Sequence, residues 1–230
     1  MCNYSPLIVE FQEINSTNTY LKENYNNYEN LTIVAAEHQT NGKGRFNRKW
    51  FDNDDLLFSI LIKENLDNIT DYSLLIAKSI FNVLSKYMDD LSIKWPNDIL
   101  ANDCKICGIL LEAVTTSKIE CVVLGVGINV NTINFSENLL LKATSMKNIL
   151  NRNINKEELL KEIIICFEKE NYKKEFENYS KILIKTDTDW YSEEDINSIY
   201  EESIEDTIEK EGIFYYTAEG DNYILFNCLF

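Results

Sequence analysis

The chain has 230 residues, 45% of them hydrophobic and 26% charged, which suits one folded domain with room for a small appendage and excludes a disordered chain. Its net charge of -16 argues against nucleic-acid binding by the surface as a whole. No apolar run reaches the roughly 18 residues of a membrane span, the start MCNYSPLIVEFQE lacks a secretory pattern, and six cysteines do not make a dense disulfide framework, so the expected setting is the cytoplasm.

In chain order, Ile8 to Ile14 reads as a strand. Ser16 is a good N-cap for a helix over Thr17 to Tyr25. Leu31 to Glu37 reads as a strand, residues 42–50 as a loop, and the unbroken apolar run Leu56 to Ile62 as a strand buried on both faces. Tyr72 to Tyr87 carries apolar residues at helical spacing. Ser92 to Trp95, Ile106 to Val114 and Ile119 to Val130 read as strands, and Glu157 to Tyr172 as a further helix. Strands follow strands as well as helices. The fold class is therefore α+β, a mixed sheet with helices on one face. From about residue 180 the composition changes: residues 189–211 hold ten acids and one lysine. Two aromatic runs, Ile213 to Tyr216 and Tyr223 to Phe226, then flank Glu219-Gly220-Asp221-Asn222 as in a hairpin. The expected division is a main domain over 1–178 and a small, divergent appendage over 179–230.

The chain has only 7 glycines. Five of them fall in three short motifs, and glycine marks positive φ or close approach of another group. The first motif is AEHQTNGKGRFNRKW, residues 36–50. Lys43, Arg45, Arg48 and Lys49 gather within residues 43–49 of it, with no acid among them. Gly42 and Gly44 with forked arginine donors suit a carboxylate or phosphate. A GxGR standing alone is more often a solvated basic turn. It is neither a Walker loop nor a dinucleotide fingerprint, whose third glycine would stand at Asn47.

The second motif is KWPNDIL followed by KICGILLE. Pro96-Asn97-Asp98 is turn chemistry. Asn97, Asp98 and Lys105 either face a site from strand ends or simply make a hairpin. Cys104 and Cys107 form a CxxC, but no second ligand pair accompanies them, so no metal site is expected. The third is LGVGINVN, where Gly125 and Gly127 inside a strand mark close approach or a bulge, and Asn129 has an amide suited to a base edge. Ser16-Thr17-Asn18 is an N-cap, or a cluster able to hydrogen-bond a urea-like group. His38, the only histidine, has no evident nucleophile partner, so a Ser-His-Asp triad lacks support.

Taken in this order and spacing, STN, AEHQTNGKGRFNRKW, KWPNDIL, KICGILLE and GVGINVN resemble the catalytic domain of the biotin–protein ligases, over about residues 8–175. The resemblance implies a mixed sheet backed by helices. It also implies a two-step reaction: biotin and MgATP give biotinyl-5′-AMP, and a lysine of a biotin carboxyl carrier protein then takes the acyl group. By resemblance, Ser16, Thr17, Asn18, Gln39, Gly42, Gly44, Arg45, Lys105 and Gly108 bind biotin. Lys43, Arg48, Lys49, Trp50, Asn97 and Asn129 bind ATP or the adenylate, and Trp95 supports the pocket. Arg45, Lys105 and Asp98 lie at the reacting groups, and the loop from Thr40 to Trp50 closes over the adenylate. Lys43, Phe46 and Asn47 depart from the usual motif, whose residues are more basic and include a further glycine. Longer relatives begin with a helix-turn-helix domain; this chain starts at the catalytic motifs, so no operator binding is expected. Homodimers are common in the family, and nothing in the sequence decides the point. The rivals are a lipoate or octanoate ligase, whose Arg-Arg…Gly-Gly-Gly…His pattern is absent, and a non-enzymatic carrier-binding module.

Overall fold

The computed structural model describes residues 6–44, 48–50, 53–66, 69–94, 97–135 and 142–173, together with four short strands at 184–185, 190–191, 213–218 and 221–226. Arg45, Phe46, Asn47, Trp95 and Pro96 lie outside the described residues, as does most of the acidic stretch.

The chain opens with β1 (Ile8–Ile14) and α1 (Thr17–Asn24). Ser16 is extended, and its hydroxyl accepts from the Thr19 amide, which caps α1. A short 3-10 turn, Tyr25–Asn27, leads to β2 (Ile33–Gln39) and β3 (Leu56–Ile62), whose seven residues are all buried. Then come α2 (Asp71–Leu84), β4 (Leu91–Lys94), β5 (Asp98–Ala101), β6 (Cys104–Thr115) and β7 (Ile119–Ile128). The short helix α3 (Met146–Leu150) and the long helix α4 (Lys156–Lys173) follow.

The sheet order is β1-β2-β3-β7-β6-β5-β4. β1 and β2 are parallel, as expected for strands joined through a helix, and the other pairs among these seven are antiparallel. β8 (Ile184–Lys185) and β9 (Trp190–Tyr191) extend the β4 edge, and β10 (Ile213–Ala218) pairs with β11 (Asp221–Phe226) as the expected hairpin. No helix among the described residues is long and apolar enough to cross a membrane.

Two features differ from the sequence reading. The helices do not share one face. α2 and α4 bury Ile76, Ile80, Leu84, Leu159, Ile163 and Phe167 against Ile60, Leu124 and Val126. On the opposite face, Leu21 of α1 packs with Val34, Leu61, Cys121 and Val123. A strand like LLFSILI has no face fit for water, so it needs cover on both sides. Moreover, β5 was not read as a strand. It is four residues long, and its turn into β6 is made by Asn102 and Asp103, with φ of 49° and 62°. Asn and Asp tolerate this left-handed region better than most residues. They take five of the six positive-φ non-glycine positions described, in keeping with the scarcity of glycine.

Candidate active site

The face covered by α1 also carries the glycines. Strand alternation places Ser59, Gly125 and Leu110 in one row across β3, β7 and β6, and Leu57, Gly127 and Gly108 in the next. The glycines are required by side chains lying directly above them. A Cβ on Gly125 would stand 2.2 Å from Asn18 Oδ1, and one on Gly127 would stand 2.6 Å from Trp50 Cε2 and Cζ2. A Cβ on Gly108 would meet Trp50 Cζ3 at 2.8 Å and Lys105 Nζ at 3.0 Å. The two glycine strand ends therefore form a flat floor under the start of α1 and the indole.

At the α1 end, the Thr17 amide donates to Gln39 Oε1 at 2.8 Å, and Thr17 Oγ1 lies 3.2 Å from the same oxygen. This turns the Gln39 Nε2 side toward Gly42, whose added Cβ would lie 3.3 Å from it. Ser59 Oγ sits 2.7 Å from Thr17 Oγ1 and 2.6 Å from Asn18 Oδ1. Asn18 Nδ2 donates to Glu112 Oε2 at 2.8 Å and more weakly to the Leu110 carbonyl. Lys22 pairs with the other Glu112 oxygen at 2.5 Å.

The basic segment folds back on itself. Gly44 N–H donates to the Arg48 carbonyl at 2.7 Å, Trp50 N–H donates to the Gly42 carbonyl at 2.9 Å, and Lys43 bridges to Lys49. This return brings the Trp50 indole over the floor while Lys43, Arg48 and Lys49 remain exposed. The indole Nε1 is buried with no hydrogen-bond partner among the described residues.

At the other end, Lys105 Nζ pairs with Asp98 Oδ1 at 2.7 Å and lies 5.4 Å from the centre of the Trp50 ring. Asn97 is fastened to β6: its Nδ2 donates to the Ile109 carbonyl at 3.0 Å, and the Ile109 amide donates back to the Asn97 carbonyl at 2.8 Å. Asn129 Nδ2 donates to the carbonyls of Lys105 and Thr144 at 3.2 and 2.9 Å, which ties the end of β7 to the segment beside Lys105.

Thr17, Asn18, Gln39, Gly42, Trp50, Asp98, Lys105 and Gly108 thus line one end of one sheet face, with a polar corner at one side and a cation at the other. Ser16 acts as the helix cap. The cysteines differ in character. Burial pushes the Cys107 thiol well up and the Cys121 thiol to about 11, so neither is a ready thiolate. Two polar residues of this face were given no role from sequence: Ser59 and Glu112. Ser59 had a legible signal, since a lone hydroxyl inside an apolar strand must find a partner.

The profile of the biotin/lipoate A/B protein ligase family matches residues 10–129, more than half of the chain, and the chain belongs to that family. The bifunctional ligase/repressor BirA of Bacillus subtilis is 32% identical over 152 residues, 63% of this chain and 47% of that protein. The Escherichia coli BirA is 34% identical over 122 residues, 50% of this chain and 38% of that protein. The chain therefore spans less than half the length of these relatives. A solved biotin protein ligase from Aquifex aeolicus, in complex with biotin and ATP, matches with a TM-score of 0.66 and 28% identity, over 73% of this chain and 71% of that one. The resemblance to biotin–protein ligases and the mixed-sheet fold expected from it are borne out by these likenesses.

Proposed function

We propose that the chain is a biotin–protein ligase that activates biotin with MgATP and passes it to a lysine of a biotin carboxyl carrier protein, in the cytoplasm. The observation that carries the reading is the convergence, on one glycine floor, of a polar corner at Thr17 and Gln39 and a cation at Lys105. That arrangement suits a ligand with a hydrogen-bonding ring at one end and a carboxylate at the other. It is supported by the family and by the Aquifex structure, which holds biotin and ATP.

In the first step a biotin carboxylate oxygen attacks the α-phosphorus of ATP. The bond to the β-phosphate bridging oxygen breaks, and pyrophosphate leaves. Two anions must approach, which costs Coulomb energy, and nearby cations offset it. Lys105 takes this role on the present reading, supported by its ion pair with Asp98. Arg45 joins it by resemblance, and Lys43, Arg48, Lys49 and Asn97 take the phosphate side. Asn129 and Trp50 belong to the nucleotide side. In the second step the carrier's neutral lysine amine attacks the acyl carbonyl, AMP departs as the leaving group, and the amine loses a proton. No covalent enzyme intermediate is required. Mg2+ enters as part of the MgATP substrate. Residues 1–178 form the catalytic unit on this reading, and 179–230 are a small C-terminal segment whose first strands, β8 and β9, add to the β4 edge of the same sheet.

The test supplies MgATP and a carrier domain with biotin, lipoate or octanoate. Carrier labelling with biotin alone is expected. Labelling with lipoate or octanoate instead of biotin moves the assignment to the other branch of the family. Carrier binding with no adenylate from any acid makes the chain a binding module.

A further inference from the structure

We propose that Ser59 and Glu112 are positioning residues that fix the direction of the hydrogen bonds around Thr17, so that Thr17 meets the acid's ring with a lone pair and not with a proton. The inference rests on the biotin reading above.

The argument is a count of protons. Thr17, Asn18 and Ser59 are 3%, 4% and 0% exposed, so water does not complete their bonds. The Glu112 carboxylate only accepts. Asn18 must therefore face it with Nδ2, 2.8 Å away. The reversed amide would set a carbonyl oxygen against the carboxylate. Asn18 Oδ1 is then fixed toward Ser59 Oγ at 2.6 Å. Two oxygens at that separation need a proton between them, and only Ser59 has one to offer. Ser59 Oγ also lies 2.7 Å from Thr17 Oγ1. Its single proton is already committed, so this contact takes the Thr17 proton. The competing contact, Thr17 Oγ1 to Gln39 Oε1, is longer at 3.2 Å, and that oxygen already accepts the Thr17 amide at 2.8 Å. The bonds therefore run Thr17 to Ser59 to Asn18 to Glu112, and Lys22 holds the terminal charge.

Lone pairs are what remain on Thr17 Oγ1. The matching ligand group is a ring N–H. A polar group of the opposite sense would leave a buried mismatch, so the chain of bonds selects among rings of the same shape. Glu112 lies behind this selection without touching the ligand.

The test compares biotin with its cyclic-carbonate analogue, in which both ring N–H groups are ether oxygens. Dissociation constants are measured by calorimetry on the full chain, with kcat and the ATP KM of adenylate formation alongside. In Ser59→Ala the Thr17 proton is released to rotate. The preference for biotin over the carbonate is expected to fall about tenfold, with kcat and the ATP KM unchanged. Glu112→Gln keeps an acceptor for Asn18 and should retain most of the preference, whereas Glu112→Leu should lose it as Ser59→Ala does. If Ser59→Ala does not fold, Glu112→Leu carries the same comparison. An unchanged preference in the folded variants overturns the proposal, as does an equal loss for biotin and ATP. A wild-type chain that binds no biotin overturns the parent reading and this one with it.

Discussion

Replacing Gly125 by alanine tests how tightly the polar corner is built. The new Cβ would stand 2.2 Å from Asn18 Oδ1, 2.8 Å from Cγ and 2.9 Å from Nδ2. Ordinary contact begins near 3.4 Å, so the amide must move by more than about 1 Å. It is not free to do so, since Ser59 holds one end at 2.6 Å and Glu112 the other at 2.8 Å. A shift of that size takes both bonds beyond hydrogen-bonding distance. Overpacking costs about 1–3 kcal/mol, and the loss of a buried bond adds about 1 kcal/mol. The expected destabilisation is about 2–4 kcal/mol, read as a fall of roughly 4–16 °C in Tm. Biotin affinity should fall at least about tenfold with it. Gly44→Ala is the control for stability alone, because its Cβ would meet the Arg48 carbonyl at an ordinary 3.5 Å. Thermal unfolding of both variants and calorimetric titration of Gly125→Ala against wild type decide the matter. A Gly125→Ala protein with wild-type Tm and biotin affinity would refute the reasoning.

Three further perturbations follow from the site and its supports. Lys105→Ala removes the cation paired with Asp98; adenylate formation should slow by about 10²–10³ in stopped-flow kinetics, with a smaller effect on biotin binding. Arg45→Gly, argued from the resemblance, should let the adenylate leak; free biotinyl-5′-AMP in the filtrate is the measure, and full retention would remove Arg45 from that role. Tyr87→Phe cuts a link from the turn after α2 to α4. The Tyr87 hydroxyl donates to Glu162 at 2.7 Å, and this bond chiefly pushes its pKa from 10.0 to about 12. Because the folded value is the higher, the stabilisation is whole below pH 10 and is lost as pH rises through about 12. The same bond first, and Lys86 next, hold Glu162 below its ordinary 4.5, so in acid the contribution fades as pH falls through that lowered value. Tyr87→Phe should cost about 1 kcal/mol near neutrality, and the gap from wild type should close at both extremes in denaturant titrations.

Much of the fold was legible because local signals were strong. Ser16 followed by the Thr17 helix, the apolar run of β3 and the long periodic stretch of α4 each carry their own period or cap. β5 was not, because a four-residue strand closed by Asn102-Asp103 has neither length nor glycine to announce it. The second covered face was not, because α1 is short and contributes only Leu21 as a fully buried apolar side chain. At the site, the glycine motifs were legible as close approaches, but the sequence could not say to what. Gly125 and Gly127 admit Asn18 and Trp50, residues more than 70 positions away. Ser59 and Glu112 gained a role only once the register of β3, β7 and β6 set them beside Thr17 and Asn18.

The central claim is that this pocket makes an acyl-adenylate from biotin. It is tested most directly by incubating the chain with biotin and ATP labelled at the α-phosphate, without any carrier, and separating the products. The account predicts labelled biotinyl-5′-AMP, held on the protein and formed with one pyrophosphate for each adenylate. No labelled adenylate from biotin, in a chain shown to be folded, would contradict it.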